Sequence, residues 1–157
     1  FEQIDALAVG LSFVEAAGDA SLSLAAKEVR AKLQAALPRP DQRKLDQAPF
    51  FSSRRHGPAD PKLRTIREAI RDSRILRLSY GDAANALTDR RVRPLAIWTF
   101  TDGWLFAAWC ELRDDFRAFR LDRISMMEAT GDHFVNEPDK SLGAYLSSKL
   151  LAPRTHG

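Results

Sequence analysis

The hydrophobic period of this chain changes near residue 74, and that change limits what it can fold into. Up to residue 73 apolar residues recur at helical spacing; afterwards they alternate with polar ones, as strands require. Ile4, Leu7, Ala8, Leu11 and Val14 predict an amphipathic helix over 2–17, broken at Gly18-Asp19. Ser21 or Ser23 can cap a second helix, with Ala26, Val29, Leu33, Ala36 and Leu37 on one stripe and Pro38 and Pro40 ending it. Residues 1–37 thus read as a helical hairpin, too small to stand alone, that packs on another domain or on a second copy of itself. Residues 38–60 read as a linker, with Pro38, Pro40, Pro49, Pro58 and the run Ser52-Ser53-Arg54-Arg55; Phe50-Phe51 would dock it on apolar surface. Asp60-Pro61 starts a third helix, buried through Leu63, Ile66 and Ile70 and ending near Ser73.

Five strands are expected next. Ile75–Tyr80 alternates, Gly81–Thr88 is a polar loop, and Arg91–Phe100 is a second strand whose Pro94 requires an edge position or a bulge. Asp102-Gly103 signals a tight hairpin into Trp104–Glu111. Phe116–Leu121 and Ile124–Ala129 follow, then a closing helix over 139–150 and a loose tail after Pro153. Short strands joined by tight turns after one helix describe an α+β chain with a small, closed or nearly closed barrel.

Composition removes several classes. No apolar run approaches the ~18 residues of a membrane span, and Glu2 and Asp5 argue against a signal peptide. Cys110 is the only cysteine, so neither a disulfide framework nor a Cys-rich metal site can form, and a cytoplasmic setting fits. The chain begins with Phe, which reads as a piece cut from something longer. The net charge is +3, and of the 13 basic residues within 62–123 all but Lys62 are Arg. Arg grips phosphate or carboxylate through two bonds and stacks on rings, which suits a phosphate-bearing partner; solubility and surface pairing are the plainer explanation.

No catalytic constellation is present: there is no Gly-rich phosphate loop, paired-His spacing or nucleophile elbow, and His56, His133 and His156 are scattered in or beside loops. The chain therefore reads as a non-enzyme, and no cofactor is expected. Arg117, Arg120 and Arg123 recur every third residue, with Arg93 on the neighbouring strand. A strand alternates its faces, so Arg117 and Arg120 point apart unless a bulge or twist brings them to one rim. Such a rim would bind a polyanion; the alternative is surface pairing with Asp114, Asp115 and Asp122. Tyr80 and Trp104, at strand ends, suit base stacking, whereas Trp98 and Trp109 suit core packing.

The strings Arg91-Val-Arg-Pro-Leu95, Gly103-Trp-Leu-Phe-Ala-Ala-Trp109 and Phe116-Arg-Ala-Phe-Arg-Leu-Asp-Arg-Ile124 resemble the WYL domain of bacterial transcriptional regulators, as does Ile75-Leu-Arg-Leu-Ser-Tyr80 as its first strand. The likeness runs over about 61–135, with a looser one in the upstream helices. The name-giving Trp-Tyr-Leu stands here as Trp104-Leu105-Phe106, and the family's winged helix-turn-helix head is not expected within residues 1–157. The resemblance implies a five-stranded Sm-like barrel that senses a nucleic-acid-derived effector (single-stranded DNA, oligonucleotide or nucleotide) and signals to a DNA-binding head; the apolar stripe of the first two helices motivates a homodimer. With the hairpin, linker and closing helix read above, the chain divides into 1–37, 38–60, 61–135 and 136–157. Carried over by position, the ligand contacts are Ser79, Tyr80, Arg93, Trp104, Arg117, Arg120 and Arg123. A constitutive RNA- or DNA-binding module and a ligand-free interaction scaffold are the alternatives.

Overall fold

A computed structural model of the protein describes residues 2–47, 60–81, 84, 86–100 and 103–151. Two compact units meet after Arg64. The first holds α1 (Glu2–Ala17), α2 (Ala20–Ala36) and α3 (Arg39–Gln47), which pack on one another. Gly18 ends α1 because the turn leaves no room for a side chain: a Cβ there would lie 2.6 Å from the Val14 carbonyl oxygen. The cap of α2 is Asp19, not Ser21 or Ser23. Its Oδ1 accepts from the backbone N–H of Ser21 at 3.1 Å and of Leu22 at 3.2 Å. Ser21 is one of the donors, because a carboxylate one step from the break outcompetes a hydroxyl already inside the first turn. Glu15 ties α1 to α2, accepting from Arg30 Nε at 2.8 Å through its carboxylate and from Ser23 Oγ at 2.9 Å through its backbone oxygen.

Helix α3 lies inside the segment expected to be linker. Its prolines initiate it: Pro40 falls in the first turn, where no backbone N–H is needed, and the Pro38 carbonyl accepts from Asp41 and Gln42. Residues 48–59 of the expected linker, with Phe50-Phe51, lie outside the described residues, as do His56, His156, Thr101-Asp102 of the expected hairpin and the tail.

The second unit begins within α4 (Lys62–Arg71), whose Leu63, Ile66 and Ala69 are buried along one stripe. Strands β1 (Arg74–Gly81), β2 (Leu87–Phe100), β3 (Gly103–Cys110), β4 (Asp115–Arg120) and β5 (Ile124–His133) form one antiparallel sheet in the order β4-β3-β2-β1-β5. Strands β4 and β5 are the two outer ones, yet only the 3₁₀ turn Leu121–Arg123 joins them. Four Cα steps reach about 14 Å at full extension, whereas the outer strands of a flat five-stranded sheet stand about 19 Å apart. The sheet therefore curls into a barrel-like unit of α+β class, compatible with an Sm-like description, although β4 and β5 share no ladder.

Pro94 sits in a central strand and is accommodated by a bulge: the β2–β3 register shifts between Pro94 and Ala96. The concave face carries Leu76, Leu78, Val92, Phe106, Ala108, Cys110 and Phe119, all buried. On the other face of β2, β3 and β4, Trp98, Trp109 and Phe116 meet α5 (Leu142–Leu151). The Tyr145 ring lies 5.6 Å from both Trp98 and Phe116, and Phe116 lies 5.0 Å from Trp109. Both indoles expected in the core thus pack among rings.

Candidate functional site

The turn between β4 and β5 draws together the ends of four strands. Tyr80, near the end of β1, pairs with Ile124 at the start of β5, and Leu105 on β3 pairs with Arg120 at the end of β4. The Tyr80 ring stands edge-on to Phe119 at 5.0 Å, and Phe119 lies 5.4 Å from Phe106. This aromatic stack carries the Tyr80 hydroxyl across the curl, where it accepts from the Arg120 backbone N–H at 3.4 Å. Thr88 Oγ1 donates to the Tyr80 carbonyl oxygen at 3.2 Å, so both ends of the tyrosine are held.

Arg120 forms a two-bond fork on Asp122, Nε to Oδ1 at 3.0 Å and Nη2 to Oδ2 at 2.7 Å. That hydrogen bonding keeps the Asp122 carboxyl below the usual carboxylate range. Arg123, the last residue of the turn, is exposed, and its side chain enters no hydrogen bond or ion pair among the described residues. Trp104, half-buried, precedes the Leu105 position paired with Arg120. Alternation sends Trp104 and Tyr80 to the concave face and Arg120 to the convex one. The mouth is therefore lined from both sides of the sheet.

Ser79, Arg93 and Arg117 lie outside this group. Ser79 donates to Asp89 at 2.8 Å on the convex face. Arg93 is only 17% exposed and is clamped between Glu111 at 3.4 Å and Glu137 at 2.9 Å. Arg117 takes the concave side, three residues (~10 Å) from Arg120 along β4, and contacts Asp115 at 3.6 Å. The expected single Arg rim thus divides: four of the seven residues (Tyr80, Trp104, Arg120, Arg123) share one end of the barrel, and three are placed elsewhere. Asp122 and Thr88 were not anticipated as parts of the site. Asp122 was expected only as a surface partner of the arginines, which is how it meets Arg120, and Thr88 depends on strand pairing.

A curled antiparallel sheet with arginines and aromatics at one end defines the class of small barrel domain. Within it, residues 61–129 match the WYL domain family model, a stretch that takes in α4 and β1 to most of β5. The chain is also similar to proteasome accessory factor B/C (PafBC) of Arthrobacter aurescens, at 26% sequence identity and a TM-score of 0.47. That alignment covers 86% of this chain and 21% of the other, so the chain spans about a fifth of the length of that relative. No helix among the described residues is long and apolar enough to cross a membrane.

Proposed function

We propose that the chain is the effector-sensing portion of a bacterial transcriptional regulator rather than an enzyme, and that its ligand is nucleic-acid-derived. The observation that carries this reading is the convergence of Tyr80, Arg120 and Arg123 on the turn that joins the two outer strands. Arg123 presents a free guanidinium for a phosphate, Trp104 or Tyr80 presents a ring for a base, and the Tyr80–Arg120 contact couples the ligand's seat to the curl of the sheet. Contact with operator DNA would belong to a helix-turn-helix head, as in the regulators that the sequence resembles. A homodimer would use apolar residues of α1 and α2, where Leu7, Val9, Phe13, Leu24 and Val29 are 40–59% exposed. An effector acts only by binding two arrangements of such an assembly unequally.

Fluorescence polarisation with short single-stranded oligonucleotides and with mononucleotides, at two salt concentrations, tests this. Arg123→Ala should weaken binding about tenfold or more, the worth of one charge-assisted hydrogen bond, and flatten the salt dependence. Arg93→Ala should leave affinity within about twofold, because that guanidinium is committed to Glu111 and Glu137. Equal affinities for wild type and Arg123→Ala would favour the scaffold reading, which the ion pairs on Arg93, Arg117 and Arg120 also support.

A further inference from the structure

Between β5 and α5, residues 134–141 run over the convex face as a strap. Its ends are fixed. The Phe134 N–H donates to the Ser73 carbonyl oxygen at 2.8 Å, and buried Tyr145, in the first turn of α5, donates its N–H to the Ser141 carbonyl oxygen at 3.0 Å. Between those anchors no side chain is buried, and Val135 is 79% exposed. A stretch without buried apolar side chains belongs to the low-stability parts of a fold, which open locally. The strap meets the sheet through Glu137 and Lys140. Glu137 Oε1 accepts from Arg93 Nη1 at 2.9 Å; Lys140, itself paired with Glu137, sets its Nζ over the Trp109 ring, 5.5 Å from the centroid. Arg93 on β2 and Trp109 on β3 are direct cross-strand partners.

We propose that this strap is autoinhibitory: Glu137 holds the place of a phosphate on Arg93, and Lys140 holds that of a base on Trp109. Glu111 takes the Arg93 Nε at 3.4 Å and so orients the guanidinium, leaving the Nη edge to Glu137. That edge accepts phosphate oxygens as readily as carboxylate oxygens. The Trp109 face under Lys140 suits a base, because its other ring contact, Phe116, stands edge-on at 5.0 Å. The ligand class rests on the reading above, but the seat is another one, on the convex face rather than at the mouth. With the strap closed Arg93 is out of a ligand's reach, so its substitution alone has little effect. A nucleotide that binds only the open form shifts the strap toward it. Lifting the strap also frees the lead into α5, which rests on Trp98 and Phe116 through Tyr145.

The test is calorimetric titration of the full chain with a nucleoside monophosphate and with inorganic phosphate, beside native-state hydrogen exchange of the Lys140 amide, which donates to the Glu137 carbonyl oxygen at 3.0 Å. Glu137→Gln should bind the monophosphate about fivefold more tightly than the wild type, the excess of closed strap that one ion pair sustains. Adding Arg93→Gln should remove that gain. Adding Arg123→Ala instead should leave it, so the strap and the mouth can each fail alone. In the wild type, saturating monophosphate should speed exchange of the Lys140 amide and leave that of Phe134 unchanged, a readout that needs no variant to fold. An equal gain for inorganic phosphate would assign the seat to the anion alone and overturn the stacked base. Equal affinity of wild type and Glu137→Gln, a gain that survives Arg93→Gln, or Lys140 exchange indifferent to the nucleotide overturns the proposal.

Discussion

At the scale of single residues, backbone conformation and charge pairing decide what each position does. Ser73, between α4 and β1, sits at φ 52°, a region that costs an ordinary L-residue roughly 1–2 kcal/mol. Its carbonyl oxygen accepts from the Phe134 N–H at 2.8 Å, so this backbone turn ties the entry of the sheet to its exit. Ser73→Gly should stabilise the protein by ~0.5–1 kcal/mol, the relief of strain less the added freedom of the unfolded chain, read as a higher urea midpoint at unchanged slope. The sequence showed the charged residues of the site but not their commitments. The carboxylates that clamp Arg93 lie 18 and 44 positions away, so no local pattern could reveal them. Arg120 and Asp122 are two apart, and their pairing was among the alternatives visible in the sequence.

At the scale of elements, the change of period near residue 74 carried the order of the five strands and of every α-helix but α3, since periodicity is a direct consequence of which face is buried. Ends were less legible. Strand β2 starts at Leu87, four residues before Arg91, and β5 runs to His133 rather than Ala129, because cross-strand partners on β1 extend both ladders into polar sequence. Helix α3 was hidden by its own prolines, which read as terminators although they occupy an initiating turn. The start of α2 gives the clearest test of how an element is fixed. Asp19 is only 3% exposed and holds two backbone N–H groups. Asp19→Ala should therefore cost about 1 kcal/mol, read as a lower urea midpoint when unfolding is followed by far-ultraviolet circular dichroism; an unchanged midpoint would contradict it.

For the molecule as a whole, ion pairing makes stability depend on pH in one direction. On the convex side of the second unit a chain of charges runs Lys140–Glu137–Arg93–Glu111–Arg91–Asp132. It fastens the segment between β5 and α5 to the middle of the sheet. Hydrogen bonds from Lys140 and Arg93 hold the Glu137 carboxyl below its ordinary range, and those from Ser79 and Arg77 do the same for Asp89. Asp72 is lowered likewise by Arg71, and Asp122 by Arg120. A carboxyl with a depressed folded pKa stabilises the fold above its unfolded value, about 4, and that contribution disappears as pH falls through the folded value. Each pair is exposed enough that its share is small, but the losses occur together. They coincide with the neutralisation of 21 acidic side chains, which leaves 24 Lys and Arg repelling one another. The melting temperature should thus fall steeply below pH ~4. Glu137→Gln separates the local from the global cause. It should melt below the wild type at pH 7, where it lacks the charge that Arg93 and Lys140 share, and the difference should shrink toward zero in acid, where the wild-type carboxyl is also neutral. A difference that stays constant from pH 7 to pH 3 would mean that Glu137 acts by shape alone, and the acid sensitivity would then rest on net repulsion and not on the charge chain.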